Sequence, residues 1–424
     1  MAQEYFRRII DSELDELFPS LSAISLDGPK GVGKTATAST RAATVLRLDD
    51  PGVAELARAA PEQLAAYDRP VLIDEWQKVP EVWDQVRRLV DDGSQPGSYL
   101  LTGSATPADA AIHSGAGRIL SLRMRPLAFA ERGIEAPTVS LGLMLAGDAT
   151  VGGATQIGLS DYIREIVGSG FPGIRALPPR ARRAQLDSYI SRIIEHDFPE
   201  QGHKVRRPQV LRAWMAAYAA ATGSTTSYDK IGRAAATGDD QPAKTTVISY
   251  RDILNQLWML EAIPAWLPST NAFSRLGSAP KHFLADPALA ARLLGLDEAK
   301  LLRAETANML GPQEGTALGR LFEHLVALSL RTYSQAAEAD VSHFRSNSGD
   351  REVDFIVHSS EGGIVGVEVK LARTIQDNDV KHLLWLKNQL GDQLRDMMVI
   401  TTGTTAYRRR SDGVAVVPLS LLGP

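Results

Sequence analysis

The 424-residue chain contains no cysteine. Disulfide frameworks, thiolate-ligated zinc, iron–sulfur clusters and cysteine nucleophiles are therefore excluded together. Long apolar runs are also missing: nothing approaches the 18 or so consecutive apolar residues that a membrane-spanning helix needs, roughly. The opening stretch, Met1–Phe18, is charged throughout and lacks the apolar segment of a secretory signal, so the expected compartment is the cytoplasm. Neither charge sign dominates. The 46 Lys and Arg against 50 Asp and Glu leave a net charge of −4, which rules out a uniformly basic coat but not a local basic patch. The 8 histidines show no H-x-x-x-H spacing, so no zinc site is expected. At 44% hydrophobic and 23% charged, the chain can bury ordinary cores and is neither disordered nor a coiled coil. With about 150 residues per domain, two or three domains are expected.

Three regions separate by pattern. Residues 1–145 alternate short buried runs (Ala23–Asp27, Val45–Leu48, Val71–Asp74, Tyr99–Thr102) with helical ones, which predicts an α/β unit with a parallel sheet and crossover helices. Ala146–Gly158 has the composition of a linker. Residues 159–300 read as mostly helical, with Tyr189, Ile193, Ile194, Leu211, Trp214, Met215 and Tyr218 at helical spacing. Residues 315–424 open with an apolar helix and continue through strand-like runs at 353–357, 365–369 and 397–400, a second α/β unit. Trp76, Trp83, Trp214, Trp258 and Trp266 are assigned to cores.

Gly28-Pro29-Lys30-Gly31-Val32-Gly33-Lys34-Thr35 matches G-x-x-x-x-G-K-[ST] in full, with a strand before it and a helix-compatible run after it. The glycines let backbone N–H groups turn toward phosphate oxygens, and the helix start adds its positive end. Lys34 is expected on the β/γ-phosphates of ATP, and the Thr35 hydroxyl on Mg²⁺. Asp74 and Glu75 close the strand Val71–Asp74. A carboxylate there suits Mg²⁺, and the next one suits activation of water, which favours hydrolysis over transfer to a substrate hydroxyl. Ser104, after Tyr99–Thr102, can contact the γ-phosphate or the attacking water. One of Arg118, Arg123 and Arg125 can neutralise transition-state charge, in its own chain or from a neighbouring copy, so a homo-oligomer stays open.

These residues, together with Tyr5-Phe-Arg-Arg8, Arg47-Leu-Asp-Asp50, Ile73–Pro80, Arg125–Glu131, Gly170-Phe-Pro172, the helix Tyr189–Asp197, Leu318–Glu323, Glu352-Val-Asp354-Phe355 and Val367-Glu-Val-Lys370, resemble a family of prokaryotic AAA-superfamily P-loop ATPases. Its members typically carry a C-terminal domain of unknown function with a restriction-endonuclease-like core. The resemblance spans nearly the whole chain and implies an ATPase with a winged-helix-like middle. The loop here reads Pro-Lys-Gly-Val where many members have Pro-Arg-Gln, which leaves the glycine geometry intact.

In the last region Asp354, Glu368 and Lys370 fit the D-(x)n-E-x-K spacing of restriction-endonuclease-like nucleases, and Glu323 on the preceding helix can complete the group. Residues two apart on a strand share a face, so Glu368 and Lys370 point together. Asp354 and Glu368 are candidate metal ligands for metal-assisted phosphodiester hydrolysis. A domain of the same fold that only binds DNA or a protein partner remains the alternative. Residues 229–260 hold either a helix-turn-helix or a plain helical subdomain. Basic runs at Arg180/Arg182/Arg183, Lys204/Arg206/Arg207 and Arg408–Arg410 serve phosphate contact or are solvated faces. The expected protein is a Mg²⁺-dependent ATPase associated with DNA. The alternative is an ATP-driven switch or scaffold that never cleaves.

Overall fold

The computed structural model describes residues 5–105, 115–202, 205–236, 243–266, 279–306, 312–346 and 350–424, so Lys204 lies outside the described residues. The first sheet holds β1 (Ala23–Asp27), β2 (Thr44–Arg47), β3 (Val71–Asp74), β4 (Tyr99–Gly103) and β5 (Leu120–Arg123) in the order β2-β3-β4-β1-β5. Every pairing in it is parallel. Val71, Leu72, Ile73, Tyr99, Leu100 and Leu101 are fully buried, as a parallel sheet covered on both faces requires. The register sets the chemistry: Asp27 lies between Gly103 and Arg123, and Asp74 beside Thr102, all at the C-terminal ends of their strands. Ligands of open α/β sheets gather at that edge. The sequence pattern does not reveal β5, because Leu120-Ser-Leu-Arg123 is a short edge strand with one buried side chain.

Strand β6 (Val139–Ser140) leads into the helix Leu141–Ala146. The middle region packs the helices Leu159–Gly168, Pro179–Arg192, Pro208–Ala220 and Pro287–Leu293 around buried Tyr162, Ile190, Trp214 and Leu289. After the helices Tyr228–Ala234 and Lys244–Gln256 the chain forms a narrow hairpin, with Leu260 opposite Leu284 and Ile263 opposite Lys281. A wider π-turn, Ile193–Asp197, ends the long helix before it.

The second sheet follows the helix Pro312–Ala336. It comprises β7 (Ala339–Arg345), β8 (Glu352–Ser359), β9 (Ile364–Lys370), β10 (Leu394–Thr401), β11 (Tyr407–Arg408) and β12 (Ala415–Pro418), ordered β11-β12-β10-β9-β8-β7. Strands β7, β8 and β9 form an antiparallel meander, and the helix Asp377–Leu390 crosses over to place β10 parallel to β9. The stretch read as a linker is not free of the fold. Strand β6 pairs with β13 (Leu422–Gly423), Ala154 bridges Thr405, and Leu141, Met144 and Leu145 are buried. Gly363 has no side chain because a Cβ would overlap the Leu145 carbonyl oxygen. The segment therefore straps the C-terminal sheet.

Candidate nucleotide site and a second carboxylate cluster

The loop Gly28–Thr35 leaves the end of β1 and enters the helix Lys34–Ser39. Two glycines are required by geometry: a Cβ on Gly28 would overlap the Met124 carbonyl oxygen, and Gly33 sits at φ +104°. The loop is clamped from both sides. Arg8 donates to the Val32 carbonyl at 2.8 Å and to Glu131 at 2.8 Å, and it is buried. On the other side the Tyr189 hydroxyl donates to the Lys30 carbonyl at 3.0 Å, and Lys30 Nζ pairs with Asp197 at 2.6 Å. Sequence reasoning had no local signal for Arg8, Tyr189 or Asp197 as loop supports; their role follows from packing.

Lys34 Nζ donates to the Gly28 and Pro29 carbonyls at 2.7 and 2.9 Å. Burial pushes its pKa down to about 8, against the opposing pull of Glu75. The Thr35 hydroxyl donates to Asp74 Oδ1 at 2.7 Å, and the Thr102 hydroxyl reaches the same oxygen. Thr35 and Asp74 thus converge as hard oxygen donors of the kind Mg²⁺ takes. Glu75 sits in the left-handed region at φ +55°, a sparsely populated conformation for a non-glycine residue and one that clusters at functional sites. Its Oε2 accepts from Ser104 at 3.1 Å and from Gln77. Beside the loop lies a cavity of about 690 Å³ whose walls include Tyr5, Phe6, Gly33, Thr37, Met124 and Pro172. Its size and partly apolar wall suit a nucleoside.

The three arginines part company. Arg118 is exposed and pairs with Asp91 at 2.8 Å, at the far end of the helix Glu81–Asp91. Arg123 stands next to Asp27 in register, bonds Glu261 at 2.7 Å, and lies 4.0 Å over the half-buried Trp258 ring. Trp258 is thus a platform for a cation rather than a core residue. Arg125 reaches Glu261 at 3.4 Å and Gln335 at 2.9 Å.

The C-terminal acids form a second cluster. Phe355 on β8 faces Val367 on β9, so one step further along the antiparallel pair Asp354 faces Glu368. Asp354 Oδ2 accepts the Val369 amide at 2.9 Å, and Lys370 Nζ meets Glu368 Oε2 at 2.7 Å. Glu323 projects from the helix Pro312–Ala336 into the same group. A residue that sequence reasoning missed completes it: Lys281 of the hairpin is 2.7 Å from Glu323 and 3.0 Å from Asp354. Burial works against its charge, but the Asp354 and Glu323 carboxylates more than offset it and hold its pKa well above the usual lysine value. Burial raises Glu323 to about 7, and burial followed by the Asp354 charge raises Glu368. Among the described residues, no three His, Cys, Asp or Glu side chains stand close enough together to hold one metal ion.

Several basic residues are committed inside the chain. Arg408 pairs with Asp396 at 2.7 Å, Arg409 with Asp412 at 3.0 Å and with Asp377, and Arg182 donates to the Arg175 and Leu177 carbonyls. No described helix is long and apolar enough to cross a membrane.

Residues 21–132 match an AAA domain family. Residues 159–300 and 318–422 match two domains of unknown function, DUF8612 and DUF4143. Uncharacterized proteins of Mycobacterium bovis and Mycobacterium tuberculosis are each 26% identical over 376 residues, covering 87% of this chain and 74% of theirs. Among solved structures, a Walker-type ATPase of Pyrococcus abyssi aligns at 14% identity with a TM-score of 0.40, covering 69% of this chain and 97% of that one. The chain carries a P-loop, AAA-type ATPase domain.

Proposed function

We propose that this protein is a cytoplasmic, Mg²⁺-dependent ATPase that acts on or with DNA. Lys34 and the loop amides hold the phosphates of ATP, Thr35 and Asp74 hold Mg²⁺, and Glu75 takes the proton of the attacking water. The observation that carries this reading is the placement of Glu75. Its carboxylate is held by Ser104 and Gln77 at the same sheet edge where Thr35 and Asp74 meet. Positioning by two donors is what a general base needs before its pKa matters. Phosphate release by the wild type, Lys34→Ala and Glu75→Gln tests it. Lys34→Ala should lose nucleotide binding. Glu75→Gln should keep binding and lose turnover about 100-fold or more. Near-wild-type turnover in Glu75→Gln would remove Glu75 from this role.

For the C-terminal unit we propose a restriction-endonuclease-like core. The order helix, three-stranded meander, helix, parallel strand supports it, as do the opposed Asp354 and Glu368 with Lys370 beside them. The hairpin that follows the helix Lys244–Gln256 supports a winged-helix-like middle and hence DNA as partner. A second reading, an ATP-driven switch that binds DNA or protein without cleaving, is favoured by one observation: Lys281 sits among the carboxylates. Cleavage assays on single- and double-stranded DNA with Mg²⁺ or Mn²⁺, with and without ATP, separate the two. A Glu368→Ala/Lys370→Ala control must lose any cutting.

A further inference from the structure

The C-terminal acids enclose a cation that the chain itself supplies. Lys281 belongs to the middle region, on the hairpin strand that faces Ile263. Its side chain leaves that hairpin and ends among acids of the C-terminal unit, 2.7 Å from Glu323, 3.0 Å from Asp354 and 3.6 Å from Glu352, with 1% of it exposed. A single carboxylate would neutralise a buried ammonium. Among the described residues, Glu323, Glu352, Asp354 and Glu368 face three cations, the ammonium groups of Lys281 and Lys370 and, 4.0 Å from Glu352, the guanidinium of Arg345. The excess leaves a mark. Glu368 is 4% exposed, and while its Oε2 takes Lys370, its Oε1 is buried with no hydrogen-bond partner among the described residues. A buried carboxylate oxygen without a partner is costly. A surplus of such oxygens is a donor set for a hard divalent cation. The spacing explains why no metal set is assembled around Lys281. Ammonium contacts hold these acids at 2.7 to 3.6 Å from the central nitrogen, whereas Mg²⁺ draws its oxygens in to about 2.0–2.1 Å.

We propose that Lys281 is a displaceable counter-ion built into the C-terminal site: the acids bind Mg²⁺ or Mn²⁺ when the ammonium withdraws, and they are closed to metal while it is inserted. The proposal rests on the reading of Asp354 and Glu368 as metal ligands and adds how the site is kept shut. Cation exchange needs no new fold, because Lys281 reaches the cluster from a different region and the acids keep their own anchors. Asp354 is held by the Val369 amide and Glu368 by Lys370.

The test uses the full-length protein without nucleotide: wild type, Lys281→Met, and Lys281→Met/Glu368→Gln. Methionine retains the apolar stem of the lysine and removes its charge. Free Mn²⁺ is followed by its paramagnetic resonance signal during titration, and thermal unfolding is recorded with and without Mn²⁺. Lys281→Met should gain a Mn²⁺ site at least about tenfold tighter than any in the wild type, and Mn²⁺ should raise its melting midpoint but not the wild type's. The double variant should lose both effects. A Lys281→Met protein that folds only with Mn²⁺ present also supports the exchange. The inference is overturned if Lys281→Met binds no more Mn²⁺ than wild type. It is overturned equally if Glu368→Gln leaves the gain intact, or if no divalent ion restores an unfolded Lys281→Met. DNA cleavage on the same samples separates the two levels. Metal gain without cutting keeps the exchange and removes the nuclease reading. Cutting by the wild type with no gain in Lys281→Met keeps the nuclease and removes the exchange.

Discussion

Replacing Glu261 by Gln should destabilise the junction between all three regions of the chain. The Glu261 carboxylate is met by Arg123 from β5 at 2.7 Å, Arg331 from the helix Pro312–Ala336 at 3.2 Å, and Arg125 at 3.4 Å. Burial favours its protonation, but the charges of Arg125, Arg331 and Arg123 outweigh that and hold it far below the usual carboxylate range. Glutamine keeps the shape and removes the carboxylate that these three guanidinium groups share. Breaking a buried ion pair from one side costs about 3–5 kcal/mol, because the remaining charge is stranded. Arg331 keeps 22% of its side chain exposed and can turn toward water, so the lower end, about 3 kcal/mol, is expected. With a urea dependence of about 2–3 kcal/mol per molar, the unfolding midpoint should fall by about 1–1.5 M. Urea unfolding at pH 7, read by tryptophan fluorescence, measures it for the wild type, Glu261→Gln, Arg123→Met and the double variant. The double variant should lose less than the sum of the singles, because it removes a stranded charge together with its partner. A midpoint drop below about 0.3 M, or strict additivity, would refute the reasoning. The sign with pH is also set. A depressed carboxylate stabilises above its unfolded value, about 4.3, and that contribution disappears as pH falls toward the folded one. The wild type should therefore lose more stability than Glu261→Gln as pH drops below about 4.

Nucleotide affinity should weaken as pH rises past about 8, because burial lowers Lys34 to about 8 while a bound phosphate favours its charged form, so binding takes up a proton there. Calorimetry in buffers of different ionisation enthalpy reads that proton, and an affinity flat from pH 7 to 10 would contradict it. Gly28→Ala should abolish nucleotide binding, since the new methyl would overlap the Met124 carbonyl oxygen; fluorescent-nucleotide titration checks this, and wild-type affinity would mean the loop has room to move. Ser104→Ala should reduce kcat by about tenfold with little change in nucleotide affinity, because the hydroxyl positions Glu75 rather than holding phosphate. An equal loss in affinity would place Ser104 on the nucleotide instead.

Some of this was readable from the chain because the physics is local. The run Val71-Leu-Ile-Asp74 is fully apolar until its last residue, and a strand buried on both faces needs that pattern. Gly28–Thr35 spells a turn whose strand, glycines and helix start lie within a few residues of each other. The opposition of Asp354 and Glu368 comes from a single hairpin. Strand β5 escaped notice because only one of its four side chains is buried, and only pairing with β1 makes it a strand. The stretch Ala146–Gly158 looked like a linker because glycine and threonine mark loops, yet its neighbours Leu141 and Leu145 bury against the C-terminal sheet. The basic runs were legible as charge but their partners were not: Arg408, although exposed, pairs with Asp396, and Arg409 with Asp412.

By itself the sequence determined the phosphate loop, the strands β1–β4 and β8–β10 and the acids they carry, since backbone hydrogen bonding and hydrophobic periodicity act over a few residues. Only the tertiary structure decided which charges meet. Lys281 finds Asp354 across 73 residues, Arg8 finds Glu131 across 123, Arg123 finds Glu261 across 138, and Lys30 finds Asp197 across 167. A buried charge takes its partner from whatever the packing of distant segments places within hydrogen-bonding reach, and no local pattern carries that choice.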